Sequence, residues 1–293
     1  MARQQGNDID ALTGTETTGH VWDGIRELNT PLPRWWLWLF YVTIVWSIGY
    51  WIVYPAWPLV SSYTTGYFNW HSRQAIVEDL AALKAKRATM TDRIAQTPLE
   101  GILADSALLD FARAYGRAAF ADNCAPCHGA GGGGVKGYPN LNDDDWLWGG
   151  KLEDIVQTIR HGIRAADNDT RQGSMPAFGR DKMMERGDIL VVADYVRSLA
   201  RLQVPANTDL AKGQKLFAEN CVSCHGDNGK GNRELGAPDL TDQIWLYGSS
   251  KDTIIEGLMN GRGAVMPAWN QRLDDTTIKA LTVYVHTLGG GEK

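Results

Sequence analysis

The sequence predicts a mainly α-helical protein, with one N-terminal transmembrane helix followed by two tandem small domains of one kind. Three observations predict this. Twenty residues from Trp35 to Tyr54, WWLWLFYVTIVWSIGYWIVY, carry no charge. The run Gly116-Arg-Ala-Ala-Phe120-Ala-Asp-Asn123-Cys124 returns as Gly213-Gln-Lys-Leu-Phe217-Ala-Glu-Asn220-Cys221, at an offset of 97. All four cysteines fall in two copies of one spacing, Cys124-Ala-Pro-Cys127-His128 and Cys221-Val-Ser-Cys224-His225.

The uncharged segment has the dimensions of a membrane span. A helix rises about 1.5 Å per residue, so twenty residues reach about 30 Å, the thickness of a bilayer's hydrocarbon core. Trp35, Trp36 and Trp38 at one end, with Trp51, Tyr54 and Trp57 at the other, form aromatic belts. Arg34 marks the entry, and Pro55 and Pro58 end the helix. A cleaved signal peptide would need a basic start, an apolar core of about 7–15 residues and a small-residue cleavage site. Here the first 34 residues hold three Arg against five acids, and no A-x-A follows the core. A buried soluble helix fits poorly with so many aromatics, which leaves a retained anchor. The flanks show no Lys/Arg bias, so they do not orient it.

At 293 residues the chain accommodates two small domains and a tail. Its net charge of -5, without a long run of one sign, argues against nucleic acid as a partner. Residues 1–34 read as a cytoplasmic N-terminal segment, with 1–20 a polar, flexible tail. Residues 35–58 are the transmembrane helix, and residues 59–106 a periplasmic loop and linker helix. The first domain takes residues 107–203 and the second 204–293, joined near Arg201–Thr208. In the loop 61–71, Tyr67, Phe68 and Trp70 are placed to sit among headgroups. Ile76, Leu80, Leu83, Met90 and Ile94 recur at helical spacing. Such a helix packs on its own domain or docks another membrane subunit, and the spacing does not choose.

The repeat extends beyond the cysteines. Pro139-Asn-Leu141 and Trp146-Leu-Trp148-Gly149 return as Pro238-Asp-Leu240 and Trp245-Leu-Tyr247-Gly248, at an offset of 99. Met175-Pro-Ala-Phe178 returns as Met266-Pro-Ala-Trp269, and Tyr195-Val196 as Tyr284-Val285, at offsets of 91 and 89. The first copy is eight residues longer just before its Met, around Arg164–Gly173. Each copy reads as three helices: one before the Cys pair, one at Leu152–Arg160 (Lys251–Met259), and one at Asp188–Leu199 (Asp275–Leu288). About 90 residues with so little regular structure cannot bury enough surface alone, and a large apolar cofactor would supply the missing core.

The cysteine motif names that cofactor. Two thiols three positions apart can each add to one vinyl group of a single porphyrin, and the next His then falls beneath the iron as proximal ligand. Cys124, Cys127 and His128, with Cys221, Cys224 and His225, predict two covalently bound haem c groups, hence two tandem cytochrome c-like domains. A four-Cys zinc site has its pairs about 15–20 residues apart, whereas Cys127 and Cys221 are 94 apart. Met175 and Met266, each before a Pro that favours extended backbone, are the candidate sixth ligands. Each would serve the haem of its own copy. His161 is the rival ligand for the first haem. Met183, Met184 and Met259 read as core filler. Trp146 and Trp245 read as haem-crevice residues, either donating to a propionate or simply buried. Tyr195 and Tyr284 pack on the haem-side core. His286 reads as exposed, and His20 and His71 need no special role. Covalent haem attachment takes place outside the bacterial cytoplasm, which puts everything after Tyr54 in the periplasm.

One anchor, a spacer helix and two tandem C-x-x-C-H…M-P copies resemble the CcoP/FixP family, the dihaem subunit of cbb-type cytochrome c oxidases. The run His20-Val-Trp22-Asp-Gly24-Ile25-Arg-Glu-Leu-Asn29-Thr-Pro31-Leu-Pro33-Arg34-Trp35-Trp36 is similar to that family's N-terminal signature, and Tyr54-Pro55-Ala-Trp57-Pro58 to its helix exit. The resemblance implies a bacterial inner-membrane subunit that is not an enzyme on its own. It would take electrons from a cytochrome c or a quinol–cytochrome c oxidoreductase. It would pass them to a monohaem cytochrome c subunit and on to the haem–copper catalytic subunit of a proton-pumping oxidase. The eight-residue enlargement departs from the repeat and leaves Met175 the less secure ligand. Competing readings are a dihaem peroxidase, which needs an iron able to open its sixth position, and a free membrane cytochrome shuttle or gas sensor.

Overall fold

The computed structural model describes residues 8–292, and the chain divides into two compact units, one ending at Lys86 and one starting at Arg87. Within the first unit, strands β1 (Thr17–Trp22) and β2 (Ile25–Leu28) pair antiparallel, with Trp22 opposite Ile25. Asp23 and Gly24 between them have φ of 49° and 86°, the double left-handed turn whose twist suits a two-residue hairpin. The flexible tail expected through residue 20 is thereby corrected from residue 8 onward, while residues 1–7 lie outside the described part. The polar composition concealed an Asp-Gly turn flanked by Val21, Trp22 and Ile25, which favour strands.

Helix α1 (Arg34–Val53) is the expected span: twenty residues, with none buried within the chain. Pro55 cannot continue it, and the following loop folds back on its exit. Tyr67 N–H and Phe68 N–H donate to the carbonyls of Ile52 and Val53. Tyr54 then meets the rings of Tyr50, Phe68 and Trp70. The aromatics expected at headgroup depth thus form one cluster at the helix end.

Helix α2 (Ser72–Gln96) divides the apolar stripe read from the sequence. Ile76 and Leu80 are 58% and 60% exposed, whereas Ile94 is fully buried. Ile94, with Met90, packs on Ile102 of α3 (Leu99–Ala104) and on Leu108 and Ala112 of α4 (Ser106–Asn123). The end of the helix is therefore held by its own domain, and its beginning is exposed among the described residues.

The second unit contains the expected helices, four of which are started by a side-chain cap. Asp105 caps α4, Asp209 caps α8 (Leu210–Asn220), Ser250 caps α10 (Lys251–Asn260) and Asp274 caps α11 (Asp275–His286). The helices do not associate in sequence order. α4 and α6 (Leu152–His161) pack on α11, the last helix, while α7 (Arg186–Leu199) packs on α8 and α10. One lobe, formed by α4, α6 and α11, buries Phe120, Ile155, Ile159, Ile278, Leu281 and Val285. The other, formed by α7, α8 and α10, buries Ile189, Val192, Val196, Phe217 and Leu258. The segment Arg201–Thr208, read from the sequence as the joint between the two copies, connects α7 and α8, which pack in one lobe. Packing thus regroups the two sequence repeats: the closing helix of each completes the other.

The repeated glycines show how closely these helices approach. A Cβ on Gly116 of α4 would lie 2.2 Å from the Ala280 carbonyl oxygen and 2.8 Å from Tyr284 Cβ in α11. On Gly213 it would lie 2.7 Å from Tyr195 Cβ in α7. Backbone cannot yield as a flexible side chain can. Gly116→Ala is therefore expected to destabilise this lobe by about 2–3 kcal/mol, although Ala is the better helix former by about 1 kcal/mol. Denaturant unfolding of the two proteins side by side measures the difference.

Candidate functional site

The attachment motifs sit where α4 and α8 end. Cys124 and Cys221 close these helices, and each opens a single further turn, α5 (Ala125–His128) and α9 (Val222–His225). In each turn the N–H groups of the second Cys and of the His donate to the first Cys carbonyl, at 3.1 and 2.9 Å in α5 and at 3.2 and 2.9 Å in α9. Residues three and four apart share a helix face, so both thiols and the imidazole present themselves on one side. Gly129 and Gly226 follow at φ of 79° and 74°, a left-handed reversal that glycine adopts without strain.

Each proximal imidazole is oriented from behind. His128 Nδ1–H donates to the Pro139 carbonyl at 3.3 Å, and His225 Nδ1–H to the Pro238 carbonyl at 3.1 Å. This fixes the tautomer and leaves Nε2 with a free lone pair, as an iron ligand requires. Burial lowers both His pKa values, outweighing the opposing pull of the proline carbonyls, and so favours the neutral form. Burial, and secondarily the neighbouring cysteine, pushes the Cys124 and Cys221 thiols up to about 11. Both groups are therefore held as protonated thiols, the form that adds across a vinyl group.

The donor set fits a haem. Each motif supplies two thiols and one oriented neutral imidazole beside an apolar cluster. Among the described residues, the one group of three His, Cys, Asp or Glu side chains within 4.8 Å of one another is His161, Asp167 and Asp169. Neither cysteine motif has the further ligands a zinc site would need. Trp245 Nε1 is buried without a partner, a donor suited to a propionate. Trp146 differs: its Nε1–H donates to the Gly290 carbonyl at 2.6 Å, so its indole N–H is already engaged within the chain.

The methionines do not lie where sequence order suggests. Met266 packs with Cys124, Ala125, Leu141 and Trp146 against the Phe120 cluster. Met175 packs with Val222, Leu240 and Trp245 against the cluster that includes Phe217 and Cys221. The crossing strands are laid together: Met266 and Ile163 exchange backbone hydrogen bonds at 2.9 and 3.0 Å, and Met175 and Arg262 at 2.9 and 3.1 Å. Each Met thus packs beside the motif of the other copy rather than that of its own. His161, read as a rival to Met175, is tied instead to Asp167 Oδ1 at 2.8 Å. Tyr284 packs on Phe120 and Tyr195 on Phe217, in the expected haem-side cores. Met184 is buried filler as read, whereas Met183 is exposed. His286 is half-buried rather than exposed, with Nε2–H donating to the Glu292 carbonyl at 2.8 Å.

The Pro139 and Pro238 carbonyls are the functional groups that the sequence reading passed over. Their signal was available, since both prolines lie at matched positions of the repeat.

Comparison with known proteins identifies the family. Residues 14–61 match the family described as the N-terminal domain of cytochrome oxidase-cbb3, FixP. Residues 113–200 match cytochrome c, and residues 208–285 match cytochrome c oxidase, cbb3-type, subunit III. The chain is 61% identical over 285 residues to a cbb3-type cytochrome c oxidase subunit FixP of Azorhizobium caulinodans, covering 97% of this chain and 96% of that one. It is 57% identical over 286 residues to the FixP subunit of Bradyrhizobium diazoefficiens, covering 98% and 99%. It is 52% identical over 293 residues to the CcoP subunit of Azospirillum brasilense, covering 97% and 98%. With the anchor, the paired C-x-x-C-H turns and full-length likeness in hand, the chain belongs to the FixP/CcoP family of cbb3-type cytochrome c oxidase subunits, the electron-transfer subunits of that oxidase.

Proposed function

We propose that this subunit carries two haem c groups and relays electrons into the oxidase without catalysing a reaction itself. One haem is attached through Cys124 and Cys127 with His128 as proximal ligand, the other through Cys221 and Cys224 with His225. The observation that carries this reading is the repeated turn whose imidazole donates through Nδ1 to a proline carbonyl. Packing supports Met266 as the thioether that would serve the haem held by His128, and Met175 as the one that would serve the haem held by His225.

When bound, each haem supplies a one-electron couple whose potential a thioether ligand raises. The chain's own residues do the rest. His128 and His225 would hold the metal through Nε2, and Met266 and Met175 would each supply a thioether, a set of ligands that would not favour binding of oxygen or peroxide. The clusters around Phe120 and Phe217 exclude water, which further disfavours the more highly charged oxidised state. Trp245, whose buried indole N–H has no partner within the chain, would donate it to a propionate.

The anchor helix holds the second unit on the periplasmic side, with the N-terminus cytoplasmic. The donor is a cytochrome c or a quinol–cytochrome c oxidoreductase. Electrons leave through the monohaem cytochrome c subunit towards the haem–copper subunit.

Extraction in mild detergent tests this reading. The chain is expected to co-purify with a copper-containing oxidase and to show two haems per polypeptide by pyridine haemochrome. A lone monomer would count against the relay. A high-spin haem turning over peroxide would favour the peroxidase.

A further inference from the structure

The eight-residue enlargement of the first copy lies against a loop distant in sequence. It follows α6 and ends just before Met175, yet its side chains reach the segment around Met266. Arg164 Nε donates to the Ala264 carbonyl at 2.7 Å. Asp167 Oδ2 accepts from Asn270 Nδ2 at 2.8 Å. Asp167 Oδ1 accepts from His161 Nδ1–H at 2.8 Å and from the Asp169 N–H at 2.9 Å. Asp167 is thus a fully engaged carboxylate, and its hydrogen bonds, that from Asn270 foremost, hold its pKa below the usual carboxylate range.

The other lobe provides an internal comparison. Its Met175 loop has the equivalent backbone bonds: Gly179 N–H donates to the Leu258 carbonyl, as Asn270 N–H does to Arg160. The residue matching Asn270 is Gly179, which has no side chain to hold, and the matching connection between Asn260 at the end of α10 and Met266 is only five residues long. Arg164 reaches both methionine loops, since it also donates to the Gly173 carbonyl, so the side-chain tie peculiar to the Met266 loop is the Asp167–Asn270 bond.

We propose that the enlargement is a clamp, in which Asp167 and Asn270 are positioning residues that hold Met266 on its iron. The bond from Met266 sulfur to iron is then harder to open than that from Met175. This rests on the haem reading above, and it assigns a purpose to a segment with no counterpart in the second copy. Loss of a charge-assisted hydrogen-bond pair corresponds to about a tenfold change in the opening equilibrium.

The test uses the ferric, two-haem, full-length protein in detergent and titrates imidazole, which takes the sixth position whenever a methionine lets go. The sulfur-to-iron charge-transfer band reports each displacement. The two phases are assigned by Met266→Ala and Met175→Ala, each of which removes its own. In the unaltered chain the Met266 phase is expected at the higher imidazole concentration. Asp167→Ala should move that phase about tenfold lower and leave the Met175 phase in place. Asn270→Gly, which copies Gly179, should act the same way and serves if Asp167→Ala fails to fold. An unmoved Met266 phase in a folded variant overturns the clamp, and so does an equal shift of both phases. A haem count below two in the unaltered chain instead overturns the haem reading, so the two failures are distinguishable.

Discussion

A fragment of residues 173–261 is expected to fold around one haem with His225 and Met175 as ligands, whereas residues 107–203 are not. The shorter reading of the sequence predicts the reverse for the second piece, because 107–203 holds a complete C-x-x-C-H…M-P copy. In the structure that piece keeps α4 and α6 but loses α11, which leaves Phe120, Ile155 and Ile159 without Ile278, Leu281 and Val285. Exposing three large apolar side chains costs about 1.5–3 kcal/mol each, comparable with the whole stability of a small domain. Residues 173–261 keep α7, α8 and α10 together, with the buried Asp194–Lys251 pair at 2.7 Å. Co-expression with a haem-attachment system, followed by circular dichroism and haem staining, separates the outcomes. A folded, Met-ligated 107–203 fragment would contradict the crossed packing.

The second expected result concerns which iron each methionine serves. Replacing Met266 with His should lower the potential of the haem attached at Cys124 and Cys127 by on the order of 0.1 V or more, since a thioether favours ferrous iron and imidazole does so less. The two haems can be told apart by Cys124→Ala, which leaves one vinyl group unreacted and shifts that haem's visible bands to longer wavelength. Spectroelectrochemistry on the doubly altered chain then follows the marked haem alone. A drop in the marked haem's potential agrees with the crossed arrangement. A drop in the unmarked haem alone would restore the sequence-order pairing.

The crossed arrangement is not chosen by the cores, because they are nearly interchangeable. Gly116 meets Tyr284 just as Gly213 meets Tyr195, and these are matched residues of the repeat. The choice is written in polar pairs that differ between the copies. Arg160 bonds Asp275 at 2.8 Å, but the residue matching Asp275 in the first copy is Arg186, so the uncrossed fold would oppose two arginines. Lys212 pairs with Asp188 at 2.5 Å, while the matching positions of the other lobe are a Tyr115–Thr277 hydroxyl pair at 3.1 Å. Asp194, buried and paired with Lys251, would instead face Leu152. An exposed ion pair stabilises little, but an opposed like charge or a stranded buried carboxylate costs several times more. Lys279 adds a further constraint by donating to the carbonyls of Ile94, Ala95 and Thr97. The matching residue, Leu190, cannot do this.

By itself the sequence determined the anchor, the haem-attachment turns, the helices of each copy and the eight candidate site residues. Each is fixed by chemistry within a few positions: an uncharged run, two thiols and an imidazole on one helical turn, or an apolar period. Tertiary structure alone decided which Met meets which motif and what the enlargement before Met175 touches. It also decided that the Asp23-Gly24 turn closes a hairpin. Two copies of one pattern offer the same apolar faces to each other, so periodicity cannot say which copy's helix fills which groove. Charges tens of residues apart make that choice, and they come together only when the chain folds.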